Sequence, residues 1–178
     1  KKYGIPIDSI LYVNHIENKE DIKKLDKIFL PLVHFSKEEK ILFLGSLFKD
    51  PLRGKGTLTS NFGTRIDPFT YKPTFHGGVD IAVPVGTNVY AAMPGKIVFT
   101  GFKGDYGNLV IIEHGFGYET YYGHLSKILV KAGEQVDFSK VIALSGNTGK
   151  TTGPHLHFEI RYNKKRINPL NLFLLFNH

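Results

Sequence analysis

The chain of 178 residues contains no cysteine. That removes disulfides and thiolate metal sites, so any bound metal has to use imidazole and carboxylate ligands. No apolar run reaches the roughly 18–20 residues of a membrane span, and the longest stretches are short, such as "NLFLLF" at 171–176. No signal-peptide pattern is visible. The chain starts at Lys1-Lys2 and not at Met, which reads as a fragment or processed form and leaves a targeting segment or anchor upstream open. The net charge of +7 favours an anionic partner. No basic stripe is interleaved with aromatics, however, so nucleic acid is not the expected one, and a polyanionic wall or a membrane surface stays open. The motif HExxH is absent, which excludes the common helical zinc-peptidase arrangement.

What is present is enough for one domain with a small appendage, and 42% hydrophobic residues can fill a core. Ile22, Leu25, Phe29, Leu32 and Val33 follow helical spacing. Pro31 bends or ends that helix, and Ser36 with Glu39 fits a capping box before a second apolar run. Residues 1–50 therefore read as a helical segment that packs on the main domain or dimerises. Residues 51–56, within "KDPLRGKG", read as a linker. From 57 to 170 helical periodicity gives way to short β-rich runs between Gly, Pro and Asn turns, such as "KIVFTGF", "GNLVIIEHG" and "HLHFEIRY". The fold class is mainly β, an antiparallel sheet or sandwich, and the tail 171–178 is expected to pack back on it.

Eight histidines punctuate the chain. His155 and His157 sit two apart in "GPHLHFEI" and so share one face of a strand, with Glu159 beside them and Leu156 and Phe158 turned to the core. That face is either a metal or acid–base platform or merely polar. His76 and Asp80 bracket two glycines in "HGGVD", where the glycines argue against a helix and let the backbone bend. One His, one Asp and a further His meet the count of three protein ligands plus water at a catalytic zinc. His124 ends the aromatic strand "YYGHLS". With no HExxH glutamate, the acid–base work falls to histidine. His114 reads as structural, and His15, His34 and His178 lie outside the β region.

The segments "HGGVD", "YGHLS" and "GNTGKTTGPHLHFEIR", in that order, resemble the LytM/lysostaphin family of zinc metallopeptidases, including its cell-shape-determining members. "SNFGTRIDPFT" and "GTNVYAAMPGKIV" look like that family's entry segments. The resemblance covers about residues 57–170. It implies a LytM-type catalytic domain with one Zn2+ held by His76, Asp80 and His157, and with His124 and His155 as catalytic histidines. The implied activity is hydrolysis of peptide cross-links in bacterial peptidoglycan: a d,d-cross-link, a glycine bridge and a terminal d-alanine are all compatible. The implied location is periplasmic or cell-surface, with a membrane anchor in the full-length protein. Glu159 is either a hydrogen-bond partner that orients His155 or His157 or a surface salt bridge. Tyr71 and Tyr122 are oxyanion-donor candidates, and Asn61 is a candidate for occluding the metal. Residues 1–50 suggest a homo- or heterodimer with a related chain. Some relatives have lost ligands and serve as non-catalytic modules, but all five site residues are present here. Ser139 departs from the family's usual Gly and puts the geometry of its turn in question.

Overall fold

The computed structural model describes residues 11, 14, 16–24, 48–115 and 117–172. The chain divides into two units, Lys1–Leu44 and Gly45–His178. In the first, the described part includes a 3-10 turn, Lys19–Lys24, with the Asn18 side chain accepting the Glu20 N–H at 3.1 Å. The helical repeat from Leu25 onward, the Ser36–Glu39 box and the tail 173–178 lie outside the described residues. No helix among the described residues is long and apolar enough to cross a membrane.

Among the described residues the second unit holds thirteen short strands: β1 (Thr57–Ser60), β2 (Gly63–Ile66), β3 (Pro73–His76), β4 (Val79–Ala82), β5 (Asn88–Tyr90), β6 (Gly95–Phe102), β7 (Asn108–Glu113), β8 (Tyr118–Leu125), β9 (Lys127–Ile128), β10 (Gln135–Val136), β11 (Val141–Leu144), β12 (His155–Tyr162) and β13 (Lys165–Ile167). The main sheet runs β1-β4-β12-β8-β7-β6-β10, with β13 also paired to β12. Every pairing is antiparallel. A three-stranded sheet, β5-β11-β9, and the hairpin β2-β3 complete the architecture.

Strand period two sorts β12 cleanly. Leu156, Phe158 and Ile160 are fully buried in the core, whereas His155, His157, Glu159 and Arg161 occupy the other face. Opposite them on β8, Tyr122 pairs with Phe158 and Thr120 with Ile160, so these two belong to the core side. His114 also belongs there: its Nδ1–H donates to Pro94 O at 3.0 Å, and Thr120 Oγ1 lies 2.6 Å from its Nε2.

Residues 49–56, expected to be a linker, form a turn packed on this unit. Asp50 accepts the Leu52 and Gly54 N–H groups, Pro51 O accepts from Tyr90 N at 2.9 Å, and Leu52 is 1% exposed. Burial of Phe48 and Leu52 ties this turn down. The turn at Ser139 is organised by Asp137, whose carboxylate accepts from Ser139 N at 2.8 Å and Oγ at 2.6 Å.

Candidate metal centre

Register brings the site together. Asp80 on β4 lies opposite His157 on the central strand β12, and His157 lies opposite Gly123 on β8. His76 ends β3, in a different sheet from Asp80. The two glycines between them make the junction: the backbone bends at Gly78, as expected, though neither glycine has a left-handed φ. Their role is close approach. A Cβ on Gly78 would meet the Phe158 carbonyl oxygen and lie 2.9 Å from Glu159 Cγ, and one on Gly77 would meet the Arg166 side chain and lie 3.0 Å from Glu159 Oε1. At Gly78 the obstacle is the main chain of β12, so a residue without a side chain is needed there, whereas at Gly77 it is the Arg166 side chain.

His124 reaches the site by an irregularity. On a regular strand it would share the core-facing side of Tyr122. It has φ 59°, and the pairing of β7 with β8 shifts register between Asn108↔Leu125 and Val110↔Tyr122. The extra residue is a bulge that re-aims the ring. His124 then lies beside His155, ring centroids 4.5 Å apart, and 5.7 Å from His157.

His76, Asp80 and His157 are buried and form a group that could hold a metal ion. His76 Nε2 is 3.1 Å from Asp80 Oδ1 and 3.1 Å from His157 Nδ1, and His157 Nδ1 is 2.7 Å from Asp80 Oδ1. The far side of each ring fixes its tautomer. His76 Nδ1–H donates to Asn61 O at 2.8 Å, and His157 Nε2–H donates to Glu159 Oε1 at 3.1 Å. In the neutral rings, two nitrogen lone pairs and a carboxylate oxygen therefore point at one another. Such a set repels itself unless a cation sits among it, so the donor chemistry fits a metal. Burial alone would lower the basicity of His157, but hydrogen bonds and charge from Asp80 and Glu159 outweigh it and raise its pKa. Burial likewise opposes ionisation of Asp80, yet His157 and His76 pull its pKa far below the usual carboxylate range. A proton on His157 and a metal compete for the same lone pair.

Asp80 Oδ2 faces Arg65 Nη1 at 3.2 Å, and Arg65 also bonds Ser60. Glu159 is 1% exposed and held near pKa 2: burial would raise it, but His157, Tyr106 and Arg161 hydrogen bonds prevail. It is thus a buried partner of His157 as well as of Arg161. His124 and His155 each donate Nδ1–H to a main-chain carbonyl, Thr148 O at 2.8 Å and Gly153 O at 2.7 Å. In the neutral rings this leaves each Nε2 as an acceptor, with His155 Nε2 3.6 Å from Asp80 Oδ1, and both rings line a cleft of about 300 Å³ together with the triad. Burial pushes the pKa of His124 down to about 4, so it is unprotonated at neutral pH.

Two sequence candidates do not come to the cleft. Tyr122 is fully buried, with its hydroxyl accepting the Ala92 N–H at 2.8 Å on the core side. Tyr71 is 81% exposed in the β2–β3 loop and does not line the cleft. Asn61 contributes its main-chain oxygen to His76 and not a side chain to the metal position. Sequence reasoning missed Arg65, Tyr106, Arg161 and Arg166. Arg161 alone had a signal, the continued alternation of "HLHFEIR" that puts it on the histidine face; Arg65 and Tyr106 meet their partners across 15 and 53 residues.

An antiparallel sheet that gathers His, Asp and His with two further histidines is the frame of a metallohydrolase. Residues 74–169 match the model of peptidase family M23, and the chain belongs to that family. It is 45% identical over 121 residues to the peptidoglycan DD-endopeptidase ShyA of Vibrio cholerae, covering 67% of this chain and 28% of that one. Among solved structures, a zinc-containing peptidase from Vibrio cholerae aligns with TM-score 0.63 and 38% identity, over 70% of this chain and 38% of the other. The catalytic domain of lysostaphin from Staphylococcus simulans aligns with TM-score 0.60 and 32% identity, over 65% of this chain and 90% of the other. The chain spans 27–33% of the length of three curated relatives it matches.

Proposed function

We propose that the chain is a zinc-dependent endopeptidase that hydrolyses peptide cross-links of bacterial peptidoglycan. The observation that carries this reading is the convergence of three lone-pair donors beside two imidazoles anchored through Nδ1–H, which leaves each Nε2 as an acceptor. Zinc bonds of about 2.0–2.1 Å in a tetrahedral arrangement keep ligand atoms roughly 3.3 Å apart, and the triangle of 3.1, 3.1 and 2.7 Å is of that size, slightly contracted. Zinc held by His76, Asp80 and His157 would supply Lewis acidity toward water and the scissile carbonyl. His124 or His155 accepts the proton of the attacking water at Nε2. The imidazolium so formed stabilises the charge growing on the carbonyl oxygen and passes its proton to the leaving amine. The Nδ1 anchors on Thr148 O and Gly153 O keep both rings in the tautomer this needs.

The substrate class draws on the name of the ShyA relative and on the net charge of +7, which suits an anionic wall polymer. In this reading the protein works in the periplasm or at the cell surface, anchored in its full-length form, in wall remodelling linked to cell shape. Residues 1–50 would carry a contact with a second or related chain. The test is zinc content of the purified protein and of His157→Ala, followed by digestion of purified peptidoglycan with product masses. One zinc per chain, lost in the variant, with released cross-link peptides is expected; absence of zinc from the parent protein overturns the reading.

A further inference from the structure

Tyr106 ends the short turn Gly104–Tyr106 and shares no strand with the site residues, yet it lines the same cleft, with its hydroxyl among the charges beside His157. Arg161 Nη2 donates to that oxygen at 3.0 Å and Arg166 Nη2 at 3.2 Å. With both lone pairs taken by cationic donors, the single hydroxyl proton goes to Glu159 Oε1 at 2.7 Å. The same Oε1 accepts His157 Nε2–H at 3.1 Å, while Arg161 grips Oε2 from Nε and Nη2 at 2.8 and 2.6 Å. Glu159 is therefore held at Oε2 by Arg161, with Arg166 Nε 3.5 Å from the same oxygen, and at Oε1 by a tyrosine and a histidine. Without the hydroxyl, Oε1 keeps only the histidine, and the two guanidinium groups on the Oε2 side lose an acceptor they share.

We propose that Tyr106 is a positioning residue for the metal centre: its hydroxyl holds Glu159 Oε1 against His157 Nε2–H and so keeps the His157 Nδ1 lone pair aimed at His76 and Asp80. It acts through Glu159 and is not a ligand. The turn that carries it also braces the other half of the site. Asp105 O accepts Lys150 N at 2.9 Å, Asn108 N donates to Thr148 Oγ1 at 3.0 Å, and Thr148 O holds His124. One surface turn thus supports a ligand on one side and a catalytic candidate on the other.

The proposal rests on the metal reading of the centre, and the experiment separates the two. Tyr106→Phe removes one oxygen and keeps the ring that packs 5.6 Å from His157. Zinc affinity of the variant and the parent is measured by competition with a chromophoric chelator, and the His157 Nε2–H resonance of the zinc-loaded proteins is followed by NMR. The expected result is zinc binding weakened by about tenfold, at the lower end of the effects of such partners, with a His157 Nε2–H that moves upfield and exchanges faster with solvent. Equal affinity overturns the assignment and leaves the metal reading intact. Weaker binding with an unchanged Nε2–H signal overturns it too, since the loss would then arise elsewhere. Failure of the parent protein to bind zinc overturns the metal reading and this inference with it. Thermal unfolding of the zinc-free proteins guards against a folding defect: a purely structural role lowers stability without moving either zinc readout.

Discussion

The glycines of "HGGVD" allow a sharp test, because the structure gives them a role that differs from flexibility. Gly78 has an ordinary φ, so alanine there meets no backbone strain. Its cost is steric. The new Cβ would lie 2.9 Å from Glu159 Cγ and 2.9 Å from Phe158 C, and closer still to Phe158 O, where ordinary contact begins at 3.4 Å. The obstacle is the main chain of β12, which cannot rotate aside as a side chain can. The strands must part by at least half an ångström (roughly), enough to cost about 1–3 kcal/mol as overpacking and to pull Asp80 from its register with His157. Gly153 is the matched control: it also lacks a left-handed φ, and a Cβ there meets nothing within 4 Å. Gly153→Ala is expected to be neutral or to stabilise by about 0.4–1 kcal/mol through the unfolded chain. The assay is urea unfolding of the zinc-free variants together with zinc affinity. Gly78→Ala should lose stability and at least tenfold in affinity, about the effect of disturbing a ligand's support. Equal stability of the two variants would refute the close-approach argument.

Three further outcomes are expected. His124→Ala and His155→Ala should retain zinc while peptidoglycan cleavage falls by about 10²–10⁴-fold; loss of zinc from either would make it a ligand and not an acid–base group. Tyr122→Phe leaves the buried Ala92 N–H without its acceptor, so stability should fall by about 1–3 kcal/mol with zinc affinity unchanged, and a matching fall in turnover of the stable fraction would return Tyr122 to the oxyanion role. Burial pushes His114 down to about 4 from 6.5. The unfolded chain therefore binds more protons between those values, and stability is lost as pH falls through the window, by roughly 3 kcal/mol in all and about 2 kcal/mol between pH 7 and 5. The pH dependence of urea unfolding should be shallower in His114→Gln by that amount, with the site histidines cancelling in the comparison; identical slopes would show that His114 is not the sensor.

The legible part of this protein is the part carried by local period. Alternation along "HLHFEI" is a property of any strand, so the shared face of His155, His157 and Glu159 and the inward turn of Leu156 and Phe158 could be read before any fold was known. Antiparallel strands between glycine turns were legible for the same reason. The same rule misleads at Tyr122 and His124, which are two apart and should share a face. The bulge at His124 breaks the period by one residue, sending Tyr122 to the core and His124 to the cleft. No local pattern announces a bulge at a residue that is not glycine; it depends on how β7 and β8 align over their whole length. Arg65 and Tyr106 were illegible for a related reason, since their meaning lies in partners that only the sheet order brings near. The glycines fell between these cases: their presence was plain, but their reason needed the main chain of β12 pressed against them. The candidate ligand set thus came from the family resemblance of three short motifs, whereas the orientation of each side chain depends on long-range register, which Gly78, Arg65 and Tyr106 help to fix.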